Sequence, residues 1–127
     1  MMKNGNKHLE HIIKCFKAYG FFIYQCGDIF QKYKGLIAIR KNVSLLVNIS
    51  EIQASEFDIK RDIDSETFEN LKTNSNLATC GLIVYSQKND CYYRLPIEII
   101  IQAQELKVRF ITLTTLYSKA METWRNL

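Results

Sequence analysis

The stretch Gly35-Leu36-Ile37-Ala38-Ile39-Arg40-Lys41-Asn42-Val43-Ser44-Leu45-Leu46-Val47-Asn48-Ile49-Ser50 restricts the fold more than any other part of the chain. Two runs rich in Ile, Val and Leu are interrupted only by Arg40-Lys41-Asn42. Asn beside a basic residue suits a tight polar turn, so the stretch predicts two strands joined as a hairpin at the heart of a sheet. It holds no Asp or Glu.

A chain of 127 residues fits one domain spanning 1–127, with enough volume for a core that needs no disulfide or metal staple. Charged residues at 24% and hydrophobic ones at 47% argue against disorder. A single proline argues against an all-β protein built on Pro turns, and leaves an α/β or α+β class. Cys15, Cys26, Cys80 and Cys91 are widely spaced with no Cys-x-x-Cys pair, so reduced and mostly buried thiols are expected. No run approaches a membrane span and the start Met1-Met2-Lys3-Asn4-Gly5-Asn6-Lys7 has no apolar signal core, so a cytoplasmic protein is expected.

The remaining elements follow from periodicity. Leu9, Ile12, Ile13, Phe16 and Tyr19 recur at helical steps and Gly20 stops the helix. Phe21 to Cys26 reads as a strand, and Glu51 to Asp62 as a loop that partly packs. Asp64 or Ser65 caps a helix containing Phe68 and Leu71, and Gly81 to Ser86 is apolar enough for a central strand. Cys91 to Arg94 returns as a strand, and Pro96 opens a helix to Leu106. The apolar circumference of that helix over Ile97 to Ile101 predicts burial or a homodimer interface. Val108 to Thr112 alternates as a strand, and a last helix aligns Leu116, Tyr117, Ala120 and Trp124. The predicted order is αβββαββαβα in a single three-layer domain, a mixed central sheet flanked by helices.

The first helix, the Gly35 to Arg40 and Leu45 to Ser50 strands, the second helix and the Gly81 to Ser86 strand together resemble the core of the PD-(D/E)XK nuclease superfamily. The resemblance implies a restriction-endonuclease-like fold. It also implies a site in which a carboxylate opening the second strand and a Glu-x-Lys on the third hold a divalent metal such as Mg beside the scissile phosphate. Aligned on that pattern, Gly35 stands where the Asp belongs and Asn48-Ile49-Ser50 falls on Glu-x-Lys, with Glu10 on the first helix as the position that matches. Gly20-Phe21, Asn48, Gly81 to Val84 and Tyr93-Arg94 are also similar to the amino-terminal domain of archaeal predicted transcriptional regulators, whose nuclease-like core lacks the catalytic set.

Three functions are consistent with this reading, the third being a homodimeric protein-interaction module in which the Ile97 to Ile101 helix face and Tyr92-Tyr93 meet a partner. The first is a non-catalytic nucleic-acid-binding or assembly protein taking DNA or RNA. Lys32, Lys34, Arg40 and Lys41 would contact phosphate and Tyr33 would stack on a base, with Lys60-Arg61, Arg94, Lys107 and Arg109 joining if the fold gathers them. The second is a Mg-dependent nuclease with a migrated site of Glu10, Asp28, Glu51 and Gln53. Strand alternation opposes it, because Leu46, Asn48 and Ser50 share one face and Glu51 returns to the other. His8 and His11, three apart, are expected to be exposed or partly packed, not metal ligands.

Overall fold

The hairpin predicted from Gly35 to Ser50 lies at the centre of the computed structural model, which describes residues 3–26 and 35–113. In chain order the elements are α1 (Lys3–Ala18), β1 (Phe22–Cys26), β2 (Gly35–Arg40), β3 (Val43–Ile52), β4 (Glu56–Asp58), α2 (Ser65–Asn74), β5 (Thr79–Ser86), β6 (Cys91–Pro96), α3 (Ile97–Glu105) and β7 (Phe110–Thr112). Five strands form one mixed sheet in the order β1-β2-β3-β5-β6, and β4 with β7 makes a separate two-stranded ribbon. The β3–β5 pairing is parallel and the others are antiparallel. A parallel neighbour requires a crossover, and α2 lies within it.

Alternation along the central strands divides the interior in two. Leu45 and Val47 of β3 and Ile83 of β5 join Leu36, Ala38 and Phe21 against Ile12 and Phe16 of α1. Leu46, Cys80, Leu82 and Val84 point the other way, into a core with Phe68 and Leu71 of α2 and Ile97 and Ile100 of α3. The sheet is therefore covered by α1 on one side and by α2 and α3 on the other. The apolar run from Gly81 to Val84 is buried on both faces, as expected for a central strand. Helix α3 directs Ile97 and Ile100 into this core, while Ile99 and Ile101 are half-buried.

Helix α1 ends in a Schellman arrangement. Gly20 takes φ +90, its N–H donates to the Lys17 carbonyl, and the Phe21 N–H donates to the Phe16 carbonyl. The apolar contact that accompanies this motif is the edge-to-face pair Phe16–Phe21, with ring centroids 5.2 Å apart. Arg40 completes the cap. Its guanidinium donates to the Tyr19 carbonyl and lies 4.5 Å from the Phe21 ring centroid, placing a cation at the negative end of the helix.

The segment read as a loop from Glu51 to Asp62 is instead strand at both ends of a short link: β3 extends to Ile52, and Glu56–Asp58 forms β4. The pairing partner of β4 is β7, some fifty residues away, so no local pattern could reveal it; Phe57 lies opposite Ile111. Phe57 is fully buried. Asp58, only 1% exposed, accepts a two-pronged bond from Arg109 at 3.0 and 2.9 Å and a further bond from the Lys60 N–H. The last predicted helix lies outside the described residues. The other differences are element ends: α1 begins at Lys3, ahead of the Leu9 to Tyr19 periodicity, and α2 stops at Asn74.

Replacing Phe57 by Ala should remove about 3–5 kcal/mol of stability by the usual cost of a large core truncation, read as a lower midpoint in urea. The Arg109 guanidinium holds the Asp58 carboxyl well below the usual carboxylate range, at about 2. A depressed carboxylate stabilises the fold above its unfolded pKa of about 4, and that contribution fades as pH falls toward the folded value. The thermal midpoint of the protein should therefore drop between pH 4 and 2 more steeply than that of the Asp58→Asn variant.

Candidate nucleic-acid interface

The sheet side that carries α2 and α3 also carries the positions where the nuclease pattern would place its ligands. Gly35 ends the pairing with β1 opposite Cys26, and by register it lies beside Asn48. Leu46, Asn48 and Ser50 alternate onto this side together. A Cβ on Gly35 would sit 3.0 Å from Asn48 Oδ1 and 3.1 Å from the Val47 carbonyl oxygen. Any side chain at position 35 would therefore be tight against Asn48 and Val47, which would have to give by a few tenths of an ångström. Ser50 donates its hydroxyl to the Asp62 carbonyl at 3.1 Å, which draws the loop after β4 over the end of the strip.

Glu51 occupies the opposite side of the sheet, as alternation requires. Its Oε2 accepts from Gln87 Nε2 at 2.7 Å and lies 3.7 Å from His8 Nε2. His8, expected to be exposed or partly packed, is only 7% exposed. Its Nδ1 is 2.7 Å from the Tyr92 hydroxyl and its ring lies 4.2 Å from the Tyr85 centroid. His11 stacks on Tyr92 at 5.3 Å, with Cys15 Sγ 3.7 Å from His11 Nε2. The cluster clips α1 to β3, β5 and β6. Sequence spacing placed His8 and His11 on one helix, but Tyr85, Gln87 and Tyr92 had no signal, since their convergence needs the β5–β6 register.

The alternative nuclease set does not assemble. Glu10 is exposed on α1, roughly 200° around the helix from His8. Gln53 is exposed beyond the end of β3, and Asp28 lies outside the described residues. Among the described residues no group of three His, Cys, Asp or Glu is placed to hold a metal ion.

The basic residues divide differently from the sequence expectation. Lys32, Tyr33 and Lys34 lie outside the described residues, and Arg40 is engaged in the α1 cap. Lys41 is exposed in the β2–β3 turn at φ 55. Lys60, Lys107 and Arg109, which the sequence could add only if the fold gathered them, do come together. With Ile59, Gln104 and Val108 they line a cleft of about 410 Å³. Arg61 is close enough to Arg109 for charge repulsion to act between them. Asp58 and Asp62 offset part of this charge through Arg109 and Arg61, whereas Lys60 and Lys107 are exposed. Arg94 lines a separate cleft of about 430 Å³ with Asn42, Ser44, Asn76 and Thr79.

No protein-family model matches this chain, and no curated protein matches it.

One prediction tests the geometry of the α1-side cluster. Tyr85 donates to Asp90 Oδ1 at 2.5 Å, and this bond, with burial and the nearby negative charge, pushes its phenol up to about 12. Replacing Asp90 by Asn removes the charge that a tyrosinate would face, so the Tyr85 phenol should titrate closer to pH 10. Tyrosine ring NMR shifts across an alkaline titration, assigned with Tyr85→Phe, read the change.

Proposed function

We propose that the protein binds nucleic acid without cleaving it, on a sheet that retains a nuclease-like arrangement. The observation that carries this reading is the convergence of Lys60, Lys107 and Arg109 from two distant segments onto one cleft, with Arg61 near enough to Arg109 for their charges to repel. Clustered cations with exposed ammonium groups attract phosphates and release counterions when they bind them. The formal charge of +4 has the matching sign.

The place of the cleft supports the same reading. The loop carrying Lys60 and Arg61 is tied by the Asp62 carbonyl to Ser50, at the end of the strip formed by Gly35, Asn48 and Ser50. In a restriction-endonuclease-like sheet this strip would meet the scissile phosphate. Here it carries a glycine, an amide and a hydroxyl, none of which supplies the anionic ligands or the lysine of phosphodiester cleavage. A backbone drawn toward the cleft would pass side chains unable to assemble a metal site.

Fluorescence anisotropy with labelled DNA and RNA oligonucleotides tests the proposal. The protein should bind at low salt, and affinity should fall linearly on a log–log plot against salt concentration. Lys60→Glu with Lys107→Glu should weaken binding by roughly tenfold or more and flatten that slope by about 1.5–2. Incubation with Mg should leave the oligonucleotides intact. Affinity that does not respond to salt, or unchanged binding by the charge-reversed variant, would sink the proposal.

A further inference from the structure

We infer that Phe22 and Tyr24 of β1 form a base-stacking platform, and that the nucleic acid recognised is therefore single-stranded; this rests on the nucleic-acid reading above. Both rings are exposed, Phe22 at 70% and Tyr24 at 57%. Apolar rings of this size are ordinarily buried, and two of them open on one face of one strand form a patch that calls for a partner.

The side of the sheet follows from register. Phe22 lies opposite Ile39 and Tyr24 opposite Ile37, and cross-strand partners share a face. Ile37 packs against the core beneath α2 and α3, whereas Ile23, between the two rings, packs against the α1 core. Phe22 and Tyr24 therefore stand on the α2 and α3 side. These helices pack mainly on β3, β5 and β6, and the β1 edge extends beyond them. The Gly35–Asn48–Ser50 strip lies on this same side, and the Asp62 carbonyl ties the loop carrying Lys60 and Arg61 to its Ser50 end.

The spacing distinguishes a single strand from a duplex. Residues two apart on a strand are about 6.7 Å apart, with side chains side by side on one face. That is twice the roughly 3.4 Å rise per nucleotide along the axis of a duplex, which is the spacing of its stacked bases. Consecutive bases can each lie on one of the two rings only if the strand is extended and its bases are parted from each other, a state that base pairing forbids. Stacking on an aromatic ring tolerates every base because each presents a π face.

The platform and the Ser50 end of the strip are within reach of one short oligonucleotide. From β1 to β3 is two strand spacings, about 10 Å, and from the level of Tyr24 to Ser50 is four residues, about 13 Å. Lys41, exposed in the turn that follows Ile39 and Arg40, flanks the Phe22 end. Charge favours this occupant over a second copy of the chain. Pairing two such faces would bring Lys41, Lys60 and Lys107 of one copy toward the same cations of the other, whereas a phosphate backbone neutralises them.

The test compares the whole protein with a Phe22→Ala/Tyr24→Ala variant on single-stranded DNA, single-stranded RNA, a DNA duplex and heparin, with thermal melting as the check on folding. The double variant should lose about 30-fold or more in affinity for the single strands by the usual contribution of two stacked bases, and keep its heparin affinity. Phe22→Tyr/Tyr24→Phe, which retains both rings, should bind as the parent does. Photo-cross-linking to a bromouracil oligonucleotide should map to Phe22 or Tyr24. Undiminished single-strand binding by the double alanine variant, alongside loss in Lys60→Glu/Lys107→Glu, would overturn the platform and leave the cleft reading intact. A dimer that the alanine substitutions dissociate without changing affinity would overturn it as well and assign the face to self-association. Failure of the parent protein to bind any of the four polyanions would overturn both readings.

Discussion

Strand β3 is held on both edges, by β2 running antiparallel and by β5 running parallel, and the rest of the molecule depends on that double pairing. A strand with both edges occupied cannot slip by one residue without turning its whole inward set to the other face. Because Leu45 and Val47 feed the α1 core while Leu46 feeds the core under α2 and α3, one slip would empty both. The register also fixes the side of each candidate residue on β3: Asn48 and Ser50 are committed to one side and Glu51 to the other. The sidedness of the candidate interface is thus a by-product of how the core is packed.

The same pairing decides what each cation is available to do. Arg40 ends β2 at the point where α1 terminates, and its guanidinium is bound to the helix end and the Phe21 ring. Arg109 is bound to the buried Asp58 and joins β7 to the loop after β4. Lys60 and Lys107 flank that ion pair without being part of it, and their ammonium groups remain exposed beside the cleft. An arginine with a rigid planar fork suits the structural contact, and the flexible lysines suit a mobile polyanionic ligand. The α1 side of the sheet, by contrast, is closed by His8, Tyr85 and Tyr92 packing on one another, with Glu51 held by Gln87.

Legibility in the sequence followed the range of the interaction. The β2–β3 hairpin, the α1 stop at Gly20 and the two-sided burial of β5 are local or periodic, so Leu36 to Ile49, Gly20 and Gly81 to Val84 announced them. Alternation alone placed Glu51 opposite Asn48, and the structure has it there. Strand β4 was hidden because three residues carry no readable period and its partner is β7. Phe22 was read as one more apolar residue of β1, since nothing local states which side of an edge strand the helices leave open. His8 was hidden for the same reason in reverse, its burial being supplied by Tyr85 and Tyr92 from another part of the chain.

What the sequence determined by itself was the α/β class, the central hairpin, and the absence of Asp, Glu and Lys from positions 35, 48 and 50, because residue identity and short-range periodicity need no fold to be read. The tertiary structure alone decided that Lys60, Lys107 and Arg109 share a cleft, that Arg40 belongs to a helix cap, and that Phe22 and Tyr24 stand open on the α2 and α3 side of the sheet. These are questions of which surface meets which. They are settled by strand order and by the area the helices can cover, and neither quantity exists until the chain has closed on itself.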